Sequence, residues 1–411
     1  MVTKFTNGYL CDNGVLVKQD LYIDDATHRI IDRPVDSSVV TSVVDLKNQI
    51  LAPGYLDIQN NGIYGVNFSN LSSNSTATDV ANFKAKYHDA MHKYLSTGVT
   101  AICPTVTSNF PDVYPKVLPI YRKNYSTEEC DSLGAHLEGP FINLKKKGCH
   151  PTETFVDASK GQSSLNAIYG DDANLKNVCI ITAAPEVPGM LQLIPQITKH
   201  NITFSIGHTM ADYDTSVAAV QSGATMITHL YNAMPQPHHR DVGVVGLITS
   251  PKVKETPYFG MICDDVHVAP SMAILAYKSN PDKTILVTDT MHLIGLPDGT
   301  YKWDNQTLVK EGFKIYLQGT STLAGAATTL AQCVRNLMAW CEISLAEAVK
   351  TVTNNPAESL GLQNERGFLK PGCVADFVVL DNSGYVQSVY KAGKRFNSSD
   401  IPDSKTLRAA L

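Results

Sequence analysis

Apolar residues arrive along the middle of this chain in short runs, separated by stretches with helical spacing. Eight runs rich in apolar or β-branched residues read as strands, at 50–58, 99–107, 133–141, 178–186, 202–208, 226–233, 258–267 and 284–289. Between several of them the period changes. Val80, Phe83, Tyr87, Met91 and Tyr94 recur at helical spacing before a stop at Gly98, and Tyr213, Val217 and Val220 do the same before Gly223. After the eighth run, Leu330, Val334, Leu337 and Met338 share a face, and Ser344 with Glu347 forms a capping box for a further helix. Eight strands alternating with helices predict a (β/α)8 TIM-type barrel over 51–359. A doubly wound sheet is the competitor, but it carries a Gly-rich phosphate turn after its first strand, and no GxGxxG stands there. Polar residues instead close many of the runs, as the catalytic face of a barrel requires.

The two ends have a different rhythm. Short apolar pieces at 9–11, 15–17 and 21–23 are separated by turns, with Asp12-Asn13-Gly14 as a strong hairpin signal. Near the other end, the turn-rich Gly367-Phe368-Leu369-Lys370-Pro371-Gly372 precedes a strand-like stretch at 375–380. Residues 1–50 and 360–411 are therefore expected to form one small β-sandwich domain, with a β insertion near 295–324 between the eighth strand and its helix.

Composition removes several function classes. With 411 residues, 43% hydrophobic and a net charge of −5, the chain is an ordinary globular protein with no electrostatic footprint for nucleic acid. No run approaches the roughly 20 apolar residues of a membrane span, and the first residues lack the apolar core of a signal peptide. The nine cysteines are scattered without a CxxC pair and read as reduced thiols, so a cytoplasmic location is expected.

The chemistry gathers where the runs end. Glu138 closes the third run in Ala135-His136-Leu137-Glu138-Gly139-Pro140-Phe141, and Gly139 and Pro140 turn the chain there. His208 closes the fifth run, His229 stands in the sixth and Asp289 closes the eighth. One histidine beside an apolar run is usually a hydrogen-bonded packing residue. Glu138, His208 and His229 together, at strand ends of one barrel, make a metal set with a position left open. The eighth strand closes beside the first, so Asp289 faces the same centre. There a carboxylate can take a proton from the attacking water and return it to the leaving group; its plainer reading is a cap of the next turn. His267, at the end of the seventh run, is either a donor to a substrate oxygen or a structural group. Arg240 follows His229 in a dense polar stretch and can grip phosphate in a forked geometry, while Lys145 and Lys146 read as a solvated loop. Basic groups beside a metal point to a small anionic, phosphorylated substrate.

These motifs resemble those of the N-acetylglucosamine-6-phosphate deacetylases, in the amidohydrolase superfamily. The resemblance rests on Pro53-Gly54-Tyr55-Leu56-Asp57-Ile58-Gln59-Asn60-Asn61-Gly62, on the Glu138 stretch with Lys147-Gly148-Cys149-His150, and on Gly207-His208. It rests further on 229–235 with Arg240 and on Val287-Thr288-Asp289, and it runs to about residue 390. It implies hydrolysis of the N-acetyl group of N-acetyl-D-glucosamine 6-phosphate, in amino-sugar catabolism. Glu138, His208 and His229 would hold one divalent metal, most naturally Zn2+, and Asp289 would be the general base and acid. His267 would contact the sugar or polarise the acetyl carbonyl. Asn232, Ala233 and Arg240 would hold the phosphate, and Gln59, Cys149, His150 and Leu323 would contact substrate. A homodimer is also implied, with one phosphate-binding residue reaching across from the partner.

Where many amidohydrolases carry His-x-His on strand one, this chain has Gln59-Asn60-Asn61, and an amide is a poor transition-metal ligand, so one metal is expected. Ring-opening amidohydrolases also use a lysine on strand four, where this chain has Ala183-Ala184-Pro185-Glu186. Two places depart from the family. Asp264-Asp265 stands where Asp-Gly is common, and Asp289 is followed by Thr290-Met291-His292 rather than small residues. Two alternatives stay open: hydrolysis of a related acylated amino-sugar phosphate, and a non-catalytic scaffold that kept the fold.

Overall fold

The computed structural model describes residues 1–303, 306–320 and 323–397. Eight parallel strands follow one another in sequence order around a TIM-type barrel. They are Tyr55–Asn60, Val99–Thr107, Ala135–Glu138, Val178–Ala183, Thr203–Ile206, Met226–Ile227, Tyr258–Met261 and Thr284–Leu286. Helical segments alternate with them, the one after the sixth strand being the 3-10 helix Gly243–Thr249. Covered by helices outside and filled by side chains inside, the strands are buried along nearly their whole length, which explains their continuous apolar runs. The helix predicted before Gly98 is Ala77–Tyr94. Thr76 and Asp79 cap it reciprocally, Phe83, Tyr87, Met91 and Tyr94 face the core, and Gly98 ends the following turn at φ +91. Ser344 and Glu347 form the expected capping box on Leu345–Lys350. Among the described residues no helix is long and apolar enough to cross a membrane.

Several strands are shorter than the apolar runs that announced them. The first run divides at Gly54: Ile50–Pro53 pairs with Phe377–Leu380 in a terminal sheet, and only Tyr55–Asn60 enters the barrel. A side chain at Gly54 would run into Thr100. The sixth and eighth strands stop early because His229 and Asp289 take left-handed backbone conformations, φ +28 and +44, which cannot continue a ladder.

Seven ladders join the eight strands, and among the described residues none closes the eighth onto the first. That seam is closed by other means. At its lower end, Leu56 N–H donates to Val352 O (2.8 Å) and Leu286 N–H to Thr351 O (3.1 Å), so the chain after Leu345–Lys350 fills the gap. At its upper end, the buried Asp57 carboxylate accepts from Thr288 N–H (3.2 Å) and Thr288 Oγ1 (2.6 Å). Asp289 N–H donates to Gln59 O at 2.9 Å. The seam therefore carries Asp289.

Both chain ends build the small β-sandwich. One sheet has four strands from residues 2–45. The other has six and mixes Tyr9–Asp12, Val15–Lys18 and Ile50–Pro53 with three strands from 377–395. Phe5 meets Phe377 and Tyr390 edge-on between them, at 5.6 and 5.1 Å. The Asp12-Asn13-Gly14 hairpin forms as predicted, with Asn13 and Gly14 both at positive φ. The insertion after strand eight is an antiparallel sheet of Gly299–Trp303, Gln306–Glu311, Lys314–Leu317 and Leu323–Ala326. Its second turn is Gly312-Phe313, with Gly312 at φ +58.

An ionic cluster ties the terminal sheet to the barrel. Lys391 reaches Asp131 at 2.8 Å and Asp376 at 2.7 Å, and Arg366 reaches Asp131 at 2.9 Å, all four residues being buried. Removing one partner strands a buried charge, so Asp131→Ala should cost about 3–5 kcal/mol of stability in a denaturation curve. Activity per folded molecule should hardly change.

Candidate active site

The ends of the barrel strands open into a cavity of about 300 Å³, lined by Glu138, His208, His229, His267 and Asp289 together with Cys149, His150, Asn232 and Ala233. Glu138 stands at its centre, almost fully buried. Its Oε1 lies 3.0 Å from His208 Nε2 and 3.0 Å from His229 Nε2, and the two nitrogens are 3.1 Å apart. Three residues far apart in sequence thus aim one donor atom each at a single point. His208 Nδ1–H donates to Lys146 O at 2.7 Å, which fixes the ring orientation and turns Nε2 inward to Glu138. Burial alone would raise Glu138, but the two imidazoles outweigh it and hold its carboxyl well below the ordinary range. Burial would lower His229, yet Glu138 lifts it to about 9.

Glu138, His150 and His208 also group within 4.8 Å, which makes His150 a rival third ligand. Its hydrogen bonds decide against that. Ser108 N–H donates to His150 Nδ1 at 3.2 Å, so Nδ1 is the acceptor and Nε2 carries the proton. Burial, then His208, pushes His150 down to about 3, so it stays neutral and serves as a donor. Gly139 makes this arrangement fit: at φ +78, a Cβ there would run into the Ser108 hydroxyl. Two imidazole nitrogens and one carboxylate oxygen from separate strands, with Asp289 in the same cavity, are a donor set that fits a divalent cation.

Asp289 is lifted to about 6 by burial, then by the Glu138 carboxylate, with His229, His267 and Asn61 pulling the other way. Asn61 Nδ2–H donates to its Oδ1 at 2.6 Å. His267 is held by Asp264, whose Oδ2 accepts from His267 Nδ1 at 2.7 Å and whose Oδ1 accepts from the His267 N–H at 2.8 Å. Burial pushes His267 down, but Asp264 outweighs it and raises it overall.

A family model described as the amidohydrolase family matches residues 50–396. The chain is 37% identical over 404 residues to N-acetylglucosamine-6-phosphate deacetylase of Danio rerio, covering 96% of each. The chain belongs to the amidohydrolase family, in its N-acetylglucosamine-6-phosphate deacetylase branch. The fold agrees. The solved deacetylase of Pasteurella multocida superposes with a TM-score of 0.81 at 26% identity, over 96% of this chain and 99% of that one. A mutant of the Mycobacterium smegmatis enzyme, solved with N-acetyl-D-glucosamine-6-phosphate, gives 0.77 at 27% identity, over 96% and 99%.

Within this family frame, the structure distributes the expected residues unevenly. Glu138, His208, His229, His267, Asp289, Cys149, His150, Asn232 and Ala233 meet at the cavity. Gln59 is buried behind it, and its Nε2 donates to Glu138 Oε1 at 3.2 Å, so it braces a carboxylate. Arg240 is exposed and does not line the cavity. The side chain of Leu323 lies outside the described residues. Asp265 is exposed at φ +59, a conformation that glycine takes freely and aspartate tolerates, and it does not line the cavity. His292 does line the cavity.

Sequence reasoning missed the groups that hold these residues. Glu186 accepts from Asn143 Nδ2 (2.9 Å), Thr209 Oγ1 (2.5 Å) and Met210 N–H (2.5 Å), tying the loop after Glu138 to the loop after His208. Ser108, Asp264 and Asn61 act likewise on His150, His267 and Asp289. The signal available was position: Glu186 ends an apolar run, as Glu138 does. His208, His229 and Asp289 stand at φ +50, +28 and +44, strain that accumulates at functional positions and that no residue pattern announces.

Proposed function

We propose that this chain removes the N-acetyl group of N-acetyl-D-glucosamine 6-phosphate, releasing D-glucosamine 6-phosphate and acetate in amino-sugar catabolism. The observation that carries this is the meeting of Glu138 Oε1, His208 Nε2 and His229 Nε2 in one cavity with Asp289. A divalent cation held by those three residues, with Zn2+ the best match to two imidazoles and a carboxylate, supplies Lewis-acid polarisation of the carbonyl and acidifies water. Asp289 takes the proton of the attacking water and returns it to the amide nitrogen as the C–N bond breaks. His267, its Nδ1 committed to Asp264, presents Nε2 to the acetyl group or the sugar. His150 donates through Nε2–H. Asn232 and Ala233 hold the phosphate end of the substrate.

Arg240 completes the phosphate contact in this reading. Its exposed position away from its own cavity supports a homodimer in which it serves the other copy. The mixing of both chain ends in one sheet supports a small β domain built from both termini, with its first boundary at Gly54 rather than residue 50, beside a barrel that starts at Tyr55 and carries the 295–324 insertion.

The direct test measures acetate released from N-acetyl-D-glucosamine 6-phosphate by protein as purified, after chelation and after metal is restored. Chelation should remove at least about 10²-fold of the rate, and metal should restore it. A metal-loaded protein without activity would overturn the substrate. A protein that neither holds metal nor turns over would leave only the scaffold.

A further inference from the structure

We propose that Asn61 is the positioning residue for Asp289, reaching across the unladdered seam of the barrel to hold the carboxylate in its working orientation. The proposal rests on the reading of Asp289 as the proton-transferring group. Asp289 begins from a weak position. It follows the short strand Thr284–Leu286, its backbone is left-handed at φ +44, and no ladder joins its strand to the first. A carboxylate on such a backbone needs an external hold.

Asn61 supplies one from the opposite side of the seam. Its own backbone is clamped at both ends: its N–H donates to Thr290 O and its carbonyl accepts from Phe68 N–H, each at 3.0 Å. From that fixed base, Nδ2–H meets Asp289 Oδ1 at 2.6 Å. The amide orientation follows from chemistry, because an ionised carboxylate only accepts. Among the described residues Asp289 Oδ2 makes no hydrogen bond, so the contact spends one carboxylate oxygen and leaves the other for the transferred proton.

The neighbouring asparagine shows what a structural asparagine looks like here. Asn60 Nδ2 serves Asp57 and Tyr94 at 3.0 Å each, and its Oδ1 accepts from Gly62 N–H at 3.0 Å. Asn61 is used at one end only, because its Oδ1 is buried without a partner. A buried unpaired acceptor is costly, and a position selected for stability would carry an apolar side chain of the same shape. What Asn61 adds is the N–H on Asp289.

The test compares Asn61→Leu, nearly the same size, with Asp289→Asn and the wild type, each as full-length, metal-loaded enzyme. Asn61→Leu should lower kcat by about 10- to 100-fold, as misplacement of a reacting group does, with KM within about threefold. Its metal content should match the wild type and its thermal midpoint should stay close to it, because the hydrogen bond lost from Asp289 and the unpaired oxygen removed from Asn61 act in opposite directions. The proposal is overturned if Asn61→Leu turns over normally while Asp289→Asn is inactive. It is equally overturned if kcat, KM, metal content and midpoint all fall together, which marks a merely structural residue. An active Asp289→Asn enzyme would remove the reading of Asp289 itself, and this inference with it.

Discussion

Asp289→Asn should fold, bind metal and bind substrate, yet turn over about 10²- to 10⁴-fold more slowly, the range that general acid–base catalysis supplies. The substitution keeps the volume, and the carboxamide oxygen can still accept from Asn61 Nδ2. It removes only the ability to take a proton. The loss should therefore appear in kcat, with KM nearly unchanged. The same group sets the acid limb of the pH profile. Burial and the Glu138 carboxylate raise Asp289 to about 6. A base works when deprotonated, so kcat/KM should be flat above that value and fall about tenfold per pH unit below it. A cation nearby favours the carboxylate, so the limb of the loaded enzyme should sit at or below pH 6. A wild-type rate in Asp289→Asn, or an acid limb unchanged in its residual activity, would exclude Asp289 as the base.

Glu138→Gln should lose the metal and with it nearly all activity. Changes to groups that only orient a ligand cost metal sites about 10- to 100-fold in affinity. Removing the one anionic ligand should cost more, since Glu138 Oε1 is the atom that both imidazoles face. The isosteric amide keeps the packing but loses the pairing with His229, so at neutral pH the chelated variant should melt below the chelated wild type. A second reading comes from His229. With Glu138 lifting it to about 9, His229 carries a proton at neutral pH that a metal must displace. Metal affinity of the wild type should therefore climb as pH rises towards 9. In Glu138→Gln that climb should flatten, because the carboxylate that raised His229 is gone. Equilibrium dialysis across pH measures both effects, and full metal occupancy in Glu138→Gln would overturn the ligand set.

The barrel was legible because buried parallel strands must be apolar on both faces, and helices between them must show one apolar face. Glu138, His208, His229 and Asp289 stood out because a polar side chain ending such a run has few places to go except the mouth of the barrel. The fine geometry was hidden for physical reasons. His229 and Asp289 lie inside or at the end of apolar runs, so the runs extended the strands past the left-handed turns that stop them. Gly54 was overlooked as the point where one apolar run serves two sheets. Ser108 and Glu186 act through pairings across separate loops, which no local pattern encodes, while Asp264 holds His267 three residues on within its own loop. In the sequence, Gln59 and Asn61 read as replacements for metal-binding histidines, with Gln59 also expected at the substrate. The structure shows amide donors, one on each of the two central carboxylates.

The seam gives the barrel an unusual mechanical character. Seven ladders among the described residues make it a split ring whose cut, between the first strand and the eighth, is pinned by single hydrogen bonds. A split ring answers load by opening or closing at its cut, while the rest of its circumference moves little. Glu138, His208 and His229 sit on the continuous arc, whereas Asp289 sits at the cut. The distance from Asp289 to the point where Glu138, His208 and His229 converge is thus set across the cut, by single hydrogen bonds rather than by a ladder. Substitutions that tighten or slacken the bridge at Thr351 and Val352 should tune that distance from the far end of the barrel.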